Sequence, residues 1–148
     1  MRRWFALLLL LCQAGAVRAA DSEVALRSVK GSFDDVKSRI VFEIENRGLV
    51  LNYTAHVGDM LDRTGKDLGK PTPIFAQAQV LEFCSAQVSR LAMEADAHNI
   101  AFCPYTMAVY TLPREVGKVY VSYRKPPPTK SMRPVAQMLE AIVREALR

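Results

Sequence analysis

Residues 49–57 read LVLNYTAHV, and the alternation in this stretch is the clearest indication of the fold. Apolar residues occupy every second position from Leu49 to Val57, and three of the four positions between them are polar. A period of two is that of a β-strand whose two faces differ. Because a doubly wound parallel sheet needs strands that are buried on both faces, the pattern favours a sheet that is covered mainly on one side.

The sequence on both sides of this stretch predicts further strands and helices. Residues 24–29 have strand character, and Ser32 is suited to cap a helix that ends at Gly48. The later predicted elements are a short helix at 58–69, a strand at 74–83, a helix capped by Ser85, hairpin strands at 106–112 and 116–123, and an amphipathic helix within 135–147. This order predicts an α+β fold, a two-layer sandwich whose mostly antiparallel sheet has helices packed on one face.

The N-terminus has the features of a secretory signal peptide. Arg2-Arg3 precedes an apolar run at residues 5–12, and small residues occupy the positions that a signal peptidase recognises before Ala19. The apolar run is too short to cross a bilayer. We therefore expect residues 1–19 to be removed on export, with residues 14–16 as the alternative cleavage site.

The basic charge of the chain comes largely from this leader. The full sequence has 20 basic and 15 acidic residues, a net charge of +5. Removal of residues 1–19 takes away three arginines and no acidic residue, which lowers the net charge to +2. Without a concentrated basic face, nucleic acid is not an expected partner. No later stretch has the length and apolar character of a membrane span, so none is expected in the mature chain.

Several segments of the chain, in this order, resemble the bacterial and archaeal family called domain of unknown function 302, or DUF302. They are Gly48-Leu49-Val50 leading to His56-Val57, Gln79-Val80-Leu81-Glu82-Phe83-Cys84-Ser85, Met93-Glu94-Ala95-Asp96, Phe102-Cys103-Pro104-Tyr105 and Ala108-Val109-Tyr110. The resemblance covers roughly residues 29–126, and it implies a small α+β domain from a bacterial source without an agreed activity. Export then means a periplasmic location. We expect one domain at residues 20–126, followed by a proline-rich linker and a C-terminal helix at 127–148.

Two cysteines, Cys84 and Cys103, remain after the leader is removed. A disulfide needs their Cα atoms within about 7 Å. The predicted helix at 85–96 carries the chain about 15 to 18 Å. An ordinary parallel crossover would place the cysteines at opposite ends of the sheet, whereas a helix laid across the sheet would bring them together. A disulfide, two buried thiols and a ligand site therefore all remain open.

A soft metal site is the alternative use of these residues. Thiolates from Cys84 and Cys103 with the imidazole of His56 would suit Cu(I), and a histidine or methionine pair would suit haem iron. The chain lacks the Cys-x-x-Cys and Cys-x-x-Cys-His motifs. His56 follows a strand and is a better candidate than His98, which lies in a polar turn. The same three residues would form the site of a cysteine nucleophile with a histidine base.

Residues 102–105, Phe-Cys-Pro-Tyr, are predicted to mark the edge of a pocket. Pro104 lacks an N–H, so the chain must bend there or begin a strand. Cys103 and Tyr105 flank this bend, and His56 reaches the same rim if its strand is a neighbour. The predicted binding residues are therefore Cys103, Tyr105, His56 and Cys84.

The absence of a recognisable catalytic motif favours an exported binding or accessory domain that is not an enzyme. The alternative is a periplasmic redox protein, or one that handles copper or haem. The expected partners are a small ligand or a redox protein. A homodimer is a further expectation, because Tyr53, Tyr110, Tyr120 and Tyr123 are predicted to line the open face of the sheet. The alternative is that the C-terminal helix covers that face.

Overall fold

The computed structural model describes residues 23–148, so the predicted signal peptide lies outside the described part of the chain. The strands are β1 (Val24–Lys30), β2 (Val50–Ala55), β3 (Gln77–Cys84), β4 (Tyr105–Thr111) and β5 (Lys118–Arg124). The helices are α1 (Phe33–Glu45), α2 (Val57–Asp67), α3 (Ala86–Ala95) and α4 (Arg133–Ala146), with a 3₁₀ helix at Ala97–Phe102. Within residues 23–148, no helix is both long and apolar enough to cross a membrane.

Local sequence explains where the helices begin and end. The Ser32 hydroxyl accepts a hydrogen bond from the Asp35 N–H at 3.2 Å and caps α1. Ser85 caps α3 in the same way, through the N–H of Val88 at 3.3 Å. Gly48, which follows α1, has a φ of +68°, a backbone conformation that residues with a Cβ atom rarely adopt. Both predicted serine caps are therefore present.

The five strands form one sheet in the order β1-β5-β4-β3-β2, and every neighbouring pair is antiparallel. Strands β4 and β5 form the predicted hairpin. Although α1 connects β1 to β2, these two strands lie at opposite edges of the sheet. The predicted α+β sandwich with an antiparallel sheet is confirmed.

Alternate residues of the central strands form one side of the core. Leu81, Phe83, Met107, Val109 and Val121 are almost fully buried. They belong to one hydrophobic cluster with buried residues of α1 and α4, among them Val36, Ile40, Ile44, Val135 and Ile142. The strand residues between them, such as Val80 and Ala108, are half-buried. One face of the sheet therefore carries the helix layer, as its alternating pattern predicts.

Helix α4 is part of this core. Its residues Val135, Leu139, Ile142 and Val143 are at most 3 % exposed. The sequence suggested that residues 127–148 follow a domain ending at 126, but the apolar stripe of α4 completes the helix layer and packs against α1 and α3. The physical domain therefore continues to the end of α4.

The tyrosines divide between the two faces of the sheet. Tyr110 and Tyr120 stack on the uncovered face with ring centroids 5.2 Å apart, and Tyr53 is 62 % exposed. Tyr123 instead lies on the helix side, where its hydroxyl donates to Glu140 at 2.7 Å. The reason is parity, since residues three apart on one strand point to opposite faces. The prediction that Tyr123 lines the open face of the sheet is therefore wrong. Helix α4 does not cover the tyrosine face.

Candidate functional site

The structure brings the two cysteines together at one end of the sheet. Cys84 is the last residue of β3, Cys103 lies two residues before β4, and their Sγ atoms are 3.1 Å apart. Both side chains are half-buried. Because β3 and β4 are antiparallel neighbours, the end of one strand lies beside the start of the other. Helix α3 and the 3₁₀ helix make the connection and return the chain to the same edge.

Ser89 and Tyr105 extend this pair into the protein. The Ser89 Oγ lies 3.0 Å from the Tyr105 hydroxyl and 3.7 Å from the Cys103 Sγ. Both residues are buried, at 8 % and 5 % exposure. The thiols and the two hydroxyls therefore form a continuous polar cluster at the boundary between the sheet and α3.

Sequence reasoning predicted Cys84, Cys103 and Tyr105 for this region but missed Ser89. The sequence feature that could have identified Ser89 is its position three residues before Ala92. This spacing places the two residues on the same face of α3, which is the buried face. A buried serine on the inner face of a helix needs a hydrogen-bond partner, and Tyr105 supplies one.

The site is uncharged at Cys84 and Tyr105 at neutral pH. Burial, helped by the neighbouring Cys103, raises the pKa of the Cys84 thiol to about 11. Burial also raises the pKa of Tyr105, while the hydrogen bond with Ser89 lowers it in part. Cys84 is therefore held as the thiol, which is a much weaker nucleophile and metal ligand than the thiolate.

His56 lies far from the thiols. It precedes α2 and is exposed, with its Nδ1 3.6 Å from Asp59 Oδ2 and 3.4 Å from Gln79 Nε2. The strand register places Cys84 opposite Val50, the first residue of β2, whereas His56 follows the last residue of that strand. Six residues of extended strand correspond to about 20 Å. The structure therefore does not assemble His56 with the two cysteines as ligands, or as a base and its nucleophile.

The predicted pocket edge lines only a small cavity. Phe102, Pro104 and Tyr105 border a space of about 60 Å³ that reaches Val135 and Leu139 on α4. Cys103 is not among the lining residues. A much larger cavity lies at the other side of α4. The four predicted site residues are all within the described part of the chain, and none of them lines this cavity: Cys84, Cys103, Tyr105 and His56.

Replacing Ser89 tests the buried hydroxyl pair. We expect Ser89→Ala to lower the free energy of unfolding by about 1–3 kcal/mol, because it leaves the Tyr105 hydroxyl buried without a partner. Urea denaturation would measure this change. Adding Tyr105→Phe to Ser89→Ala should cost less than the sum of the two single changes. Ser38→Ala, at an exposed position of α1, is the matched control.

The raised pKa of Cys84 predicts slow alkylation of the reduced protein. Only the thiolate reacts, so a pKa of about 11 in place of the ordinary 9.0 makes Cys84 about 100-fold slower at pH 8 than an unperturbed thiol. The rate should rise with pH until the thiol ionises. Peptide mass spectrometry after timed iodoacetamide treatment would follow Cys84, with the protein in urea as the unperturbed reference. Equal rates in the folded and unfolded states at pH 8 would contradict the shift.

The fold and the site together define an α+β sandwich domain with one covered sheet face and a pair of thiols at the sheet edge. By sequence, the chain belongs to the family described as domain of unknown function DUF302, whose model matches residues 24–148. The match includes α4, beyond residue 126 where the resemblance noted in the sequence ended.

A solved structure supports the same fold. The chain is similar to the crystal structure of an uncharacterized conserved DUF302 protein from Bacillus stearothermophilus, with a TM-score of 0.69 and 16 % sequence identity over 86 % of this chain and 100 % of that one. At this identity the likeness concerns the fold alone. No curated protein matches the chain.

Proposed function

We propose that this chain is an exported accessory domain, without enzymatic activity of its own, whose functional site is a thiol–disulfide pair formed by Cys84 and Cys103. The observation that carries the proposal is the contact between the two Sγ atoms, which lie 3.1 Å apart in half-buried side chains. Exported proteins meet oxidants that convert such a pair to a disulfide.

Oxidation of the pair requires a two-electron oxidant, for which we propose the disulfide of a partner. Because burial disfavours ionisation of Cys84, we assign the first attack to Cys103, which loses its proton and attacks one sulfur of the partner disulfide. A mixed disulfide forms, and a thiolate leaves on the partner. Cys84 then loses its proton and attacks the Cys103 sulfur, which releases the second partner thiolate. The pair has lost two protons and two electrons, and the partner disulfide has become a dithiol.

The contacts of the pair favour this role over cysteine-based catalysis. Apart from the contact of the two sulfurs with each other, the described residues that hydrogen-bond them are Ser89, at Cys103, and Asn52, at Cys84. Neither serine nor asparagine is a general base in the range of pH where the protein works. His56, the base that the sequence suggested, lies about 20 Å away along β2.

A redox titration tests the proposal. The protein is equilibrated in buffers of varying glutathione ratio, the thiols are trapped with maleimide, and Cys84 and Cys103 are quantified separately by peptide mass spectrometry. We expect the two thiols to disappear together in a single two-electron transition. Cys103→Ser should instead leave Cys84 as a thiol or a glutathione adduct. Two free thiols in the wild-type protein under strongly oxidising buffer would overturn the proposal.

A Cu(I) site at the same two sulfurs is the second candidate, because soft thiolates select Cu(I) and the two side chains already lie together. His56 is not positioned to contribute to it. Haem has less support, because a histidine ligand is not brought to the pair. Metal analysis of protein purified from its native compartment separates the two functions. Stoichiometric copper that is lost in Cys103→Ser would favour the metal site over the disulfide.

Export to the periplasm is proposed from the residues that precede the domain. Two arginines, an apolar run and small residues before Ala19 support it. N-terminal sequencing of the protein from a periplasmic extract should begin at Ala20. Recovery of the chain with its initial methionine in the cytoplasm would contradict export.

A homodimer through the uncovered sheet face is also proposed. Tyr53, Tyr110 and Tyr120 lie on that face, and exposed Val50 and Leu26 border it on the two edge strands. Apolar patches of this kind commonly mark interaction surfaces. Analytical ultracentrifugation at micromolar concentration should give the mass of two chains, and Tyr53→Lys should shift it toward one. A wild-type mass of one chain would reject the dimer.

A further inference from the structure

A cavity of about 500 Å³ lies between the edge strand β1, the end of β5 and helix α4, away from the thiol site. The proline-rich segment after β5 forms its remaining wall. This volume is in the range of small-molecule sites, which is about 300–1,000 Å³. The cavity shares no lining residue with the thiol pair, which lies at β3 and the start of β4.

The charged groups that line the cavity are mostly basic. Arg27, Lys125 and Arg133 face one acidic residue, Glu140, so the lining carries a net charge of +2. Glu140 already has partners, because Arg27 lies 3.3 Å from its Oε1 and the Tyr123 hydroxyl donates to its Oε2 at 2.7 Å. Within residues 23–148, Arg133 forms no salt bridge. At least one cation is therefore available to a ligand.

Most of the uncharged lining is apolar and stiff. Ala25 of β1 and Ala136 of α4 supply small side chains, and the three consecutive prolines at 126–128 supply pyrrolidine rings. Each proline has a fixed φ and no N–H, so this wall cannot add a strand to β1 and close the space. A preformed cavity costs less conformational entropy when a ligand enters.

We propose that this cavity binds a small organic anion with an apolar body. The anionic group lies against Arg133, and the apolar part contacts the prolines and alanines. Mixed recognition of this kind, a largely apolar wall with a few placed polar groups, is typical of ligand sites. The inference is independent of the chemistry proposed for the thiol pair.

A matched pair of dyes tests this assignment. Anilinonaphthalene sulfonate carries the anion, and N-phenylnaphthylamine has the same rings without it. Fluorescence titration of the folded protein should show tighter binding of the sulfonate dye. Equal affinity for the two dyes would overturn the proposal, since it would leave only an apolar surface.

Three variants locate the binding in the cavity. Arg133→Gln removes the unpaired cation and should weaken sulfonate binding about tenfold, with the neutral dye unchanged. Glu140→Gln removes the negative charge, leaves an acceptor for the Tyr123 hydroxyl, and should tighten sulfonate binding. Arg63→Gln, at an exposed position of α2, makes the same charge change elsewhere and should have no effect. Circular dichroism would verify folding. Unchanged sulfonate binding in folded Arg133→Gln would exclude this cavity as the site.

Discussion

Reduction of the proposed Cys84–Cys103 disulfide is expected to lower the melting temperature of the oxidised protein by about 10 °C. The bridge would link residues 19 apart in sequence, and closing a loop of this length in the unfolded chain stabilises the folded state by about 3 kcal/mol. For a domain of this size, each kcal/mol shifts the melting temperature by a few degrees. Calorimetry with and without dithiothreitol would measure the shift.

The cysteine variants provide the control for this effect. Cys84→Ser and Cys103→Ser should melt at one temperature whether or not dithiothreitol is present, because neither can form the bridge. Oxidised wild-type protein that melts at the same temperature before and after full reduction would contradict a stabilising disulfide.

Deletion of residues 127–148 is expected to abolish cooperative unfolding. It removes the whole of α4, whose buried side chains include Val135, Leu139, Ile142 and Val143. Each such side chain contributes roughly 1–5 kcal/mol, and a domain has only about 5–15 kcal/mol of net stability. The buried residues that pack against α4 would also be exposed. Near-ultraviolet circular dichroism and urea denaturation would show the loss of fixed packing.

Single changes in α4 give a graded form of this test. Ile142→Ala should cost about 2–5 kcal/mol in urea denaturation, because Ile142 is fully buried. Arg144→Ala, on the exposed side of the same helix, should change stability by no more than about 0.5 kcal/mol. A truncated chain that unfolds cooperatively at the wild-type urea midpoint would show that α4 is not part of the core.

The sequence could not place α4 because an amphipathic stripe shows only that a helix has an apolar side. Val135, Leu139 and Ile142 would give the same pattern if the helix packed on another chain or on the uncovered sheet face. The surface that a helix covers depends on where the rest of the chain leaves apolar area exposed, which is a tertiary property.

The candidate site was predictable only in part for a similar reason. The residue types at Cys84, Cys103 and Tyr105 suggested a soft polar cluster, but spacing along the chain left the distance between the sulfurs open. The antiparallel pairing of β3 and β4 decides that distance. The same register separates His56 from the cysteines, because it places His56 at the far end of β2.

The local structure of this protein follows from short-range features of its sequence. Three kinds of short-range feature were predicted from the sequence and are present in the structure: the alternation in residues 49–57, the helix caps Ser32 and Ser85, and Gly48 after α1. Each of them acts over only a few residues, so it is visible in the sequence. The tertiary structure alone decided which distant residues meet. It joined the two thiols to Ser89, buried α4 in the core, and left a basic cavity beside β1, because strand order and helix packing depend on the free energy of the whole chain.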